Sequence, residues 1–272
     1  NLFGGVCVNL LRHPAGGRLQ ETYGEDPHHV GEMGAALTRG VQRHAMACVK
    51  HFALNNQENA RFKVDVEADD RALHEVYLPH FKRIVDQGVA CVMSAYNSVK
   101  GEWCGENRQL LTDILRDEWG FEGFVISDWI FGLRDAVKSV RNGLDIEMPF
   151  RQQRVQHIRP ALEAGALTEA EIDAPVRRTV ATLLRFDGIL SQPAPDESVC
   201  ASQAHRELAY EAAVKSVVLL KNDGPLLPLD AGAIKRVAVF GRPASEPNLG
   251  DRGSSNVTPP EVVTPIAGLR GA

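Results

Sequence analysis

Five short apolar runs recur along the first 150 residues: VCVNL (6–10), ACVKHF (47–52), VACVMSAY (89–96), FVISDW (124–129) and LDIEM (144–148). None alternates strictly between apolar and polar. A strand with one wet face alternates; a strand buried on both faces does not, and parallel sheets bury both. Stretches with helical spacing separate the runs. One covers about 27–42. The next, VEADDRALHEVYLPHFKRIVDQG, places Leu73, Tyr77, Leu78, Phe81, Ile84 and Val85 on one face. Asp69 and Asp70 suit its first turn, Gly88 suits its stop, and Pro79 inside it predicts a kink or break. Further helices are predicted at about 107–118, 132–142, 152–164 and 169–186. Strands alternating with helices in this way predict an α/β fold around a parallel sheet.

Polar residues collect at the C-terminal ends of these runs: Asn9, Lys50, His51, Ser94, Tyr96, Asn97, Ser127, Asp128, Trp129 and Glu147. In βα barrels and in open doubly wound sheets alike, ligands bind at that end. Asp128 has two readings there. It caps the helix that follows, or it serves as a nucleophile or base, since an ionised carboxylate is costly to bury without partners. Trp129 stacks on the apolar face of a sugar or packs. Lys50 and His51 are a surface pair or donors to substrate hydroxyls. Arg18, in the Gly-rich loop GGRLQETYGEDP, is a ligand clamp or half of an ion pair, and Arg61 lies in the loop after His51.

Several classes are excluded. A net charge of −5 gives no electrostatic reason to expect nucleic acid. No stretch approaches the ~20 apolar residues of a membrane span. The five cysteines are odd in number and include no CxxC, against a disulfide framework or a zinc site. Such usage favours a reducing, cytoplasmic compartment. A secreted protein stays open, because the chain begins at Asn1 rather than Met and its native start is expected to lie upstream. His28 and His29 have no partner ligand at metal spacing, and the spacing around His74, Glu75 and His80 does not fit HExxH. No phosphate loop and no GxSxG elbow are present. No metal and no cofactor are expected, and nothing in the sequence fixes an oligomeric state.

After Leu190 the texture changes. SQPAPDES is a linker signal; a helix at about 201–215 and apolar runs at 216–222 and 236–241 follow. The domain reading is 1–190, a linker and helix over 191–215, and the start of a second α/β domain over 216–272.

Several blocks at compatible spacing carry a resemblance. They are NLLRHPAGGRLQETYGEDP, VKHFALNNQENAR, DDRALHEVYLPHF, VMSAYNSVKGEWCGENRQLLTDILRDEWGFEGFVISDW and NGLDIEMP, then SVVLLKNDGPLLPL and GDRGSSNVTPPEVVTPIAGL. Together the chain resembles glycoside hydrolase family 3, and within it the β-glucosidase-like enzymes. The resemblance implies a (β/α)8-type TIM-like barrel, incomplete at its N-terminus, followed by the start of an α/β sandwich domain. It implies retaining, exo-acting hydrolysis of a small-molecule β-glycoside or oligosaccharide, a β-glucoside first and a β-xyloside or other β-glycoside as the alternative.

The resemblance also implies roles by position. The aspartate of the SDW motif is the family's nucleophile, which falls on Asp128. The innermost sugar subsite falls on Arg18, Lys50, His51, Arg61 and Tyr96, with Trp129 in its wall and Met93 packing nearby. A serine from the second domain, Ser254 or Ser255, reaches the same subsite. The acid/base in β-glucosidase-like members is a glutamate further into the second domain than residue 272, and an aspartate from earlier barrel strands is not matched. The chain is therefore expected to be an internal piece of a longer enzyme, which leaves a catalytically incomplete sugar-binding fragment as a further reading. The β-N-acetylhexosaminidase branch, with a histidine acid/base after KHF, does not match ALNNQENARF.

Overall fold

The computed structural model describes residues 1–224, 226–250, 253 and 256–272. Its contacts divide the chain into two units, Asn1–Gln192 and Pro193–Ala272.

The first unit opens with β1 (Leu2–Cys7), α1 (Pro27–Val41) and β2 (Met46–Phe52). The Asp26 side chain accepts the His28 N–H at 2.9 Å, and Pro27 occupies the first turn of α1, so a cap and a preset φ start the helix. β3 (Asp65–Val66) and α2 (Asp70–Ala72) follow, Asp69 capping α2 by accepting the Ala72 N–H at 2.6 Å. One π-helical stretch, Leu73–Tyr77, leads into α3 (Pro79–Val85). Pro79 therefore breaks the long helical pattern, as its missing N–H requires. Then come β4 (Cys91–Ser94), β5 (Ser98–Val99), β6 (Glu102–Trp103), a π-helix over Gln109–Glu118 and β7 (Phe124–Ile126). The unit ends with α4 (Ala136–Arg141), α5 (Gln153–Glu163), α6 (Glu169–Arg185) and α7 (Asp187–Leu190). Thr168 and Glu171 form a reciprocal capping box at the start of α6.

β1, β2, β4 and β7 pair in that order, all parallel. Val6 pairs with Val49, Val49 with Val92 and Val92 with Val125, a row across the sheet. One face carries Val6, Ala47, Val49, Val92 and Val125 against Val30, Phe81, Ile84, Leu110, Leu111 and Ile114 from the helices. The other carries Met46, Cys48, Cys91, Met93, Phe124 and Ile126 with Phe186. Both faces are dry, which is why the strand sequences do not alternate. β3, β5 and β6 form a separate small sheet that the sequence pattern did not announce.

A barrel is not seen among the described residues of this chain. The four strands form an open sheet, extended beyond β7 only by a single parallel bridge between Ile126 and Ile146. A barrel closes only when its last strand pairs back to its first, and no such pairing exists among the described residues. LDIEM accordingly does not become a strand. Its Asp145 carboxylate is instead buried, bonded at 2.7 Å by Arg116, at 2.7 Å by Arg178 and at 2.6 Å by the Val125 N–H.

The second unit contains α8 (Gln203–Ser216) and α9 (Pro265–Gly271). The strands expected at 216–222 and 236–241 do not form. A strand needs a hydrogen-bonded neighbour, and no strand pairing occurs among the described residues of this unit. Leu220 and Phe240 stand 92% and 90% exposed.

Candidate active site

Because the four strands run parallel, their C-terminal ends share one edge of the sheet. β1 leads to Asn9, β2 ends in Lys50, His51 and Phe52, β4 leads to Tyr96, and β7 leads to Ser127, Asp128 and Trp129. The hydrogen bonds confirm that these ends converge.

Asp128 is buried. Its Oδ1 accepts the Trp129 N–H at 2.7 Å. Its Oδ2 accepts no hydrogen bond among the described residues and lies 3.7 Å from His51 Nε2. The capping alternative is settled by α4, which begins at Ala136 and is capped by Asp135 accepting the Lys138 N–H at 2.9 Å. Burial pushes the Asp128 carboxyl above the usual carboxylate range. The Trp129 N–H, the Tyr96 hydroxyl, Arg18 and Arg61 oppose that shift. Two glycines shape the turn after it. A Cβ on Gly132 would overlap the Asp128 backbone, and one on Gly105 would overlap the Gly132 carbonyl. Ser127 Oγ accepts the Met148 N–H at 2.9 Å, so it braces the strand end rather than facing the cluster.

His51 is almost fully buried. Arg18 Nη1 lies 3.0 Å from its Nε2 and Asn9 Oδ1 lies 2.7 Å from its Nδ1. A guanidinium only donates, so Nε2 accepts, and the ring proton sits on Nδ1 and is donated to Asn9. Burial, reinforced by Arg18, Lys50 and Arg61, holds the imidazole pKa far below its ordinary value, and the ring is neutral.

Arg18 donates from Nε and Nη2 to the two oxygens of Glu21, at 2.7 and 2.8 Å. Burial would lower its pKa; the paired carboxylate more than reverses this, and the net shift is upward. Lys50 Nζ lies 3.9 Å from Glu21 Oε2. Arg61 pairs with Glu58 at 2.6 Å and lies over the Tyr96 ring, 4.7 Å from its centroid. Tyr96 donates its hydroxyl to the Trp129 carbonyl at 2.7 Å. Burial, and then the Asp128 charge, push its pKa up. Trp129 is 41% exposed.

Arg18, Lys50, His51, Arg61, Tyr96, Asp128 and Trp129 are thus one connected group. Met93 is placed in the apolar cluster with Met46, Cys48 and Ile126. Ser254 and Ser255 lie outside the described residues. Among the described residues no group of three His, Cys, Asp or Glu side chains is placed to hold a metal ion. The pattern reading missed Glu21 and Glu58 as site residues, and it placed Asn9 among the strand-end polar residues without a role. The first two stand three residues from Arg18 and Arg61, the spacing at which opposite charges meet on one helical turn. That was the available signal.

Residues 6–183 match the glycosyl hydrolase family 3 N-terminal domain, and 217–272 match the C-terminal domain of the same family. The chain belongs to glycoside hydrolase family 3. Among its relatives in that family, an exo-α-(1→6)-L-arabinopyranosidase of Bifidobacterium breve is 37% identical over 96% of this chain and 35% of its own length. The thermostable β-glucosidase B of Acetivibrio thermocellus is 38% identical over 94% of this chain and 33% of its own. The solved structure of β-glucosidase 3B from Thermotoga neapolitana, in complex with α-D-glucose, superposes with a TM-score of 0.89 at 35% identity. It covers 100% of this chain, which covers 38% of it. The chain spans about a third of the length of the curated relatives it matches.

Proposed function

We propose that this chain carries the nucleophile and the inner sugar subsite of a retaining, exo-acting β-glycosidase, with a β-glucoside as the leading substrate. The observation that carries the reading is the state of Asp128. It is a buried carboxylate with one oxygen held by the Trp129 N–H and the other accepting no hydrogen bond among the described residues, beside Arg18, His51, Tyr96 and Arg61. On this reading residues 1–190 belong to the catalytic domain and 216–272 open the second.

In the first step Asp128 Oδ2 attacks the anomeric carbon. A C–O bond forms, the glycosidic C–O bond breaks, and its electron pair leaves on the aglycone oxygen. A second carboxyl group protonates that oxygen and later takes a proton from the water that displaces Asp128, restoring the anomeric configuration. Retaining pairs stand about 5–5.5 Å apart. We assign the second role to no residue of this sequence; the resemblance places it on a glutamate of the second domain. Arg18, Lys50 and Arg61 bring positive charge and N–H donors to a sugar whose hydroxyls fix the ring and whose transition state places charge near the anomeric carbon. The neutral His51 adds a rigid, oriented imidazole. The relatives' names support a pyranoside donor more firmly than a particular sugar. β-D-glucosides and α-L-arabinopyranosides both carry the leaving group equatorially on a six-membered ring.

The test is mechanism-based labelling of the protein that carries this chain. A 2-deoxy-2-fluoro-β-glucosyl fluoride should inactivate it and add one fluoroglucosyl mass to the peptide containing Asp128. Asp128→Ala should lose at least about a thousandfold in kcat with the fold intact. Label on another residue, or near-normal turnover by the variant, would sink the assignment.

A further inference from the structure

The loop that delivers Arg18 and the loop that runs from His51 to Arg61 lie against each other. The Glu58 N–H donates to the Gly16 carbonyl at 3.0 Å. A Cβ on Gly16 would stand 3.1 Å from the Asn56 carbonyl oxygen, and one on Gly17 would overlap the Glu58 side chain at 2.5 Å. The two glycines before Arg18 are what let the loops close to this distance.

A small polar cavity is left between the loops. Its volume is about 20 Å³, and Arg18, His51, Asn9, Thr22, Asn55 and Glu58 are in its lining. Asp128 is not, so the cavity lies on the Asn9 side of the imidazole. Two of these residues bring polar atoms without partners. Asn55 is 6% exposed, and neither its Oδ1 nor its Nδ2 makes a hydrogen bond among the described residues. Thr22 Oγ1 is buried in the same condition. Thr22 belongs to the Arg18 loop and Asn55 to the loop after His51. An amide can donate twice and accept twice, and a hydroxyl adds a donor and an acceptor. Leaving such groups unmade costs their full desolvation penalty, and native folds supply them with a partner.

One ligand meets these constraints. Room for a single water takes roughly 10–15 Å³, together with a few convergent polar groups. A cation would face the Arg18 guanidinium and an anion the Glu58 carboxylate. A neutral donor and acceptor of one heavy atom has neither conflict. We propose that the cavity holds one ordered water bonded by Asn55 and Thr22, and that Asn55 is a positioning residue: through this water it holds the Arg18 loop against the loop between His51 and Arg61. The water rests on the cavity and its unpartnered atoms alone. The effect on turnover rests on the reading of Asp128 as nucleophile, because Arg18, His51 and Arg61 surround that carboxylate.

The first measurement is a crystal structure of the protein that carries this chain, at a resolution that orders single waters. One water should lie within hydrogen-bond distance of both Asn55 and Thr22. An empty cavity, or an Asn55 amide turned onto a protein partner, would overturn the proposal. So would a halide, revealed by anomalous signal in bromide-soaked crystals. The second measurement compares kcat/KM on a nitrophenyl β-glucoside for wild type, Asn55→Leu, Asn55→Ala and Thr22→Val. If Asn55 merely fills space, alanine costs more than leucine, because leucine keeps the volume and alanine leaves a hole. Positioning through water reverses that order. Leucine removes the water's amide partner without making room for another, and should lose about tenfold to a hundredfold. Alanine makes room for a second water that takes over the amide's bonds, and should lose less than about fivefold. Thr22→Val keeps the side-chain shape and removes one partner of the water. It should lose about threefold to tenfold, and it decides the question if Asn55→Leu does not fold. Leucine milder than alanine, or an unchanged Thr22→Val, would overturn the positioning role. A wild type that cleaves no aryl β-glucoside would overturn the Asp128 reading and the positioning role with it, while the density still decides the water.

Discussion

His51 Nε2 lies 3.7 Å from Asp128 Oδ2, yet the two are not an ion pair. Nε2 accepts from Arg18, Nδ1–H is donated to Asn9, and burial among three cations keeps the ring neutral. The charge that favours the Asp128 carboxylate comes from Arg18 and Arg61. The imidazole is a spacer between arginine and carboxylate, fixed in orientation from behind. That arrangement leaves one buried carboxylate oxygen without a hydrogen bond among the described residues instead of locked in a salt bridge.

Asn9 is the residue that orients the spacer. It receives the Nδ1 proton and the His51 N–H on one oxygen and donates to the His51 carbonyl at 3.3 Å. Asn9→Ala removes these bonds and frees the ring. A lost buried hydrogen bond costs about 1–3 kcal/mol, so kcat should fall about tenfold to a hundredfold. Asn9→Asp, which keeps the acceptor, should favour a protonated ring. Nitrogen NMR of His51 should show a neutral Nδ1–H tautomer across pH 8 to 5 in the wild type and earlier protonation in Asn9→Asp. A wild-type ring that titrates near pH 6.5 would refute the assignment.

Asp128→Asn separates function from stability. The folded carboxyl is raised above its unfolded value of about 3.9 by burial. A raised acid favours folding below the unfolded value and costs stability once pH has risen through the folded one. The amide carries no such penalty and still accepts the Trp129 N–H. At pH 7 Asp128→Asn should therefore melt higher than wild type while losing turnover. The advantage should vanish below about pH 4. A variant that melts lower at pH 7 would contradict the burial argument.

The parallel sheet was legible because both of its faces are apolar, and that pattern survives in any strand of this kind. The site was legible because parallel strands deliver their C-terminal residues to one edge. What was not legible is long-range pairing. LDIEM reads as a strand from composition, but whether it pairs depends on neighbours that its own residues do not specify. Asp145 has two arginine partners from elements far away in sequence, and the run is drawn into that network instead. SVVLLKN and RVAVFG failed as strands for the same reason. Glu21 and Glu58 act on other side chains rather than forming a motif, so only their spacing identifies them, and Asn9, placed at a strand end by the sequence, gains its role only from the assembled contact with His51.

His80 predicts an acid sensitivity that belongs to the fold rather than to the site. It is buried beside Phe81, ring centroids 4.6 Å apart, and burial lowers its pKa to about 3. The unfolded chain protonates its histidine near pH 6.5. Between pH 6.5 and 3 the unfolded state binds the extra proton, so stability falls as pH falls, by up to about 1.4 kcal/mol per unit. His80→Phe should leave stability at pH 7 within about 1 kcal/mol and lose less on acidification. Urea midpoints at pH 7 and pH 4.5 measure the difference. Equal acid loss in both proteins would refute it.

The Asp145 network supplies a stability prediction. Its side chain is fully buried and holds Arg116 of the π-helix, Arg178 of α6 and the β7 backbone together. Removing one member of a buried charged network leaves the others uncompensated, at about 3–5 kcal/mol. Asp145→Ala should lower the unfolding free energy by that amount. Asp145→Asn, which keeps an acceptor but not the charge, should cost less. Denaturant unfolding checks the order of the two.

The contact of Gly105 with Gly132 ties a distant loop to the proposed nucleophile. Gly105 precedes Glu106, whose buried carboxylate accepts the Asp135 N–H at 2.7 Å at the far end of the same turn. A methyl group on Gly105 has no free space, because the Gly132 carbonyl fills it, and a methyl group on Gly132 would in turn meet the Asp128 backbone. Gly105→Ala must push the 129–135 turn outward and carry Asp128 with it. Overpacking of this kind costs about 1–3 kcal/mol in stability. A misplacement near 1 Å at the reacting centre costs about a hundredfold in rate. Turnover should therefore fall well beyond what the change in Tm accounts for, with kcat rather than KM carrying the loss. If activity instead tracks the folded fraction alone, the turn does not position Asp128 and the glycines serve packing only.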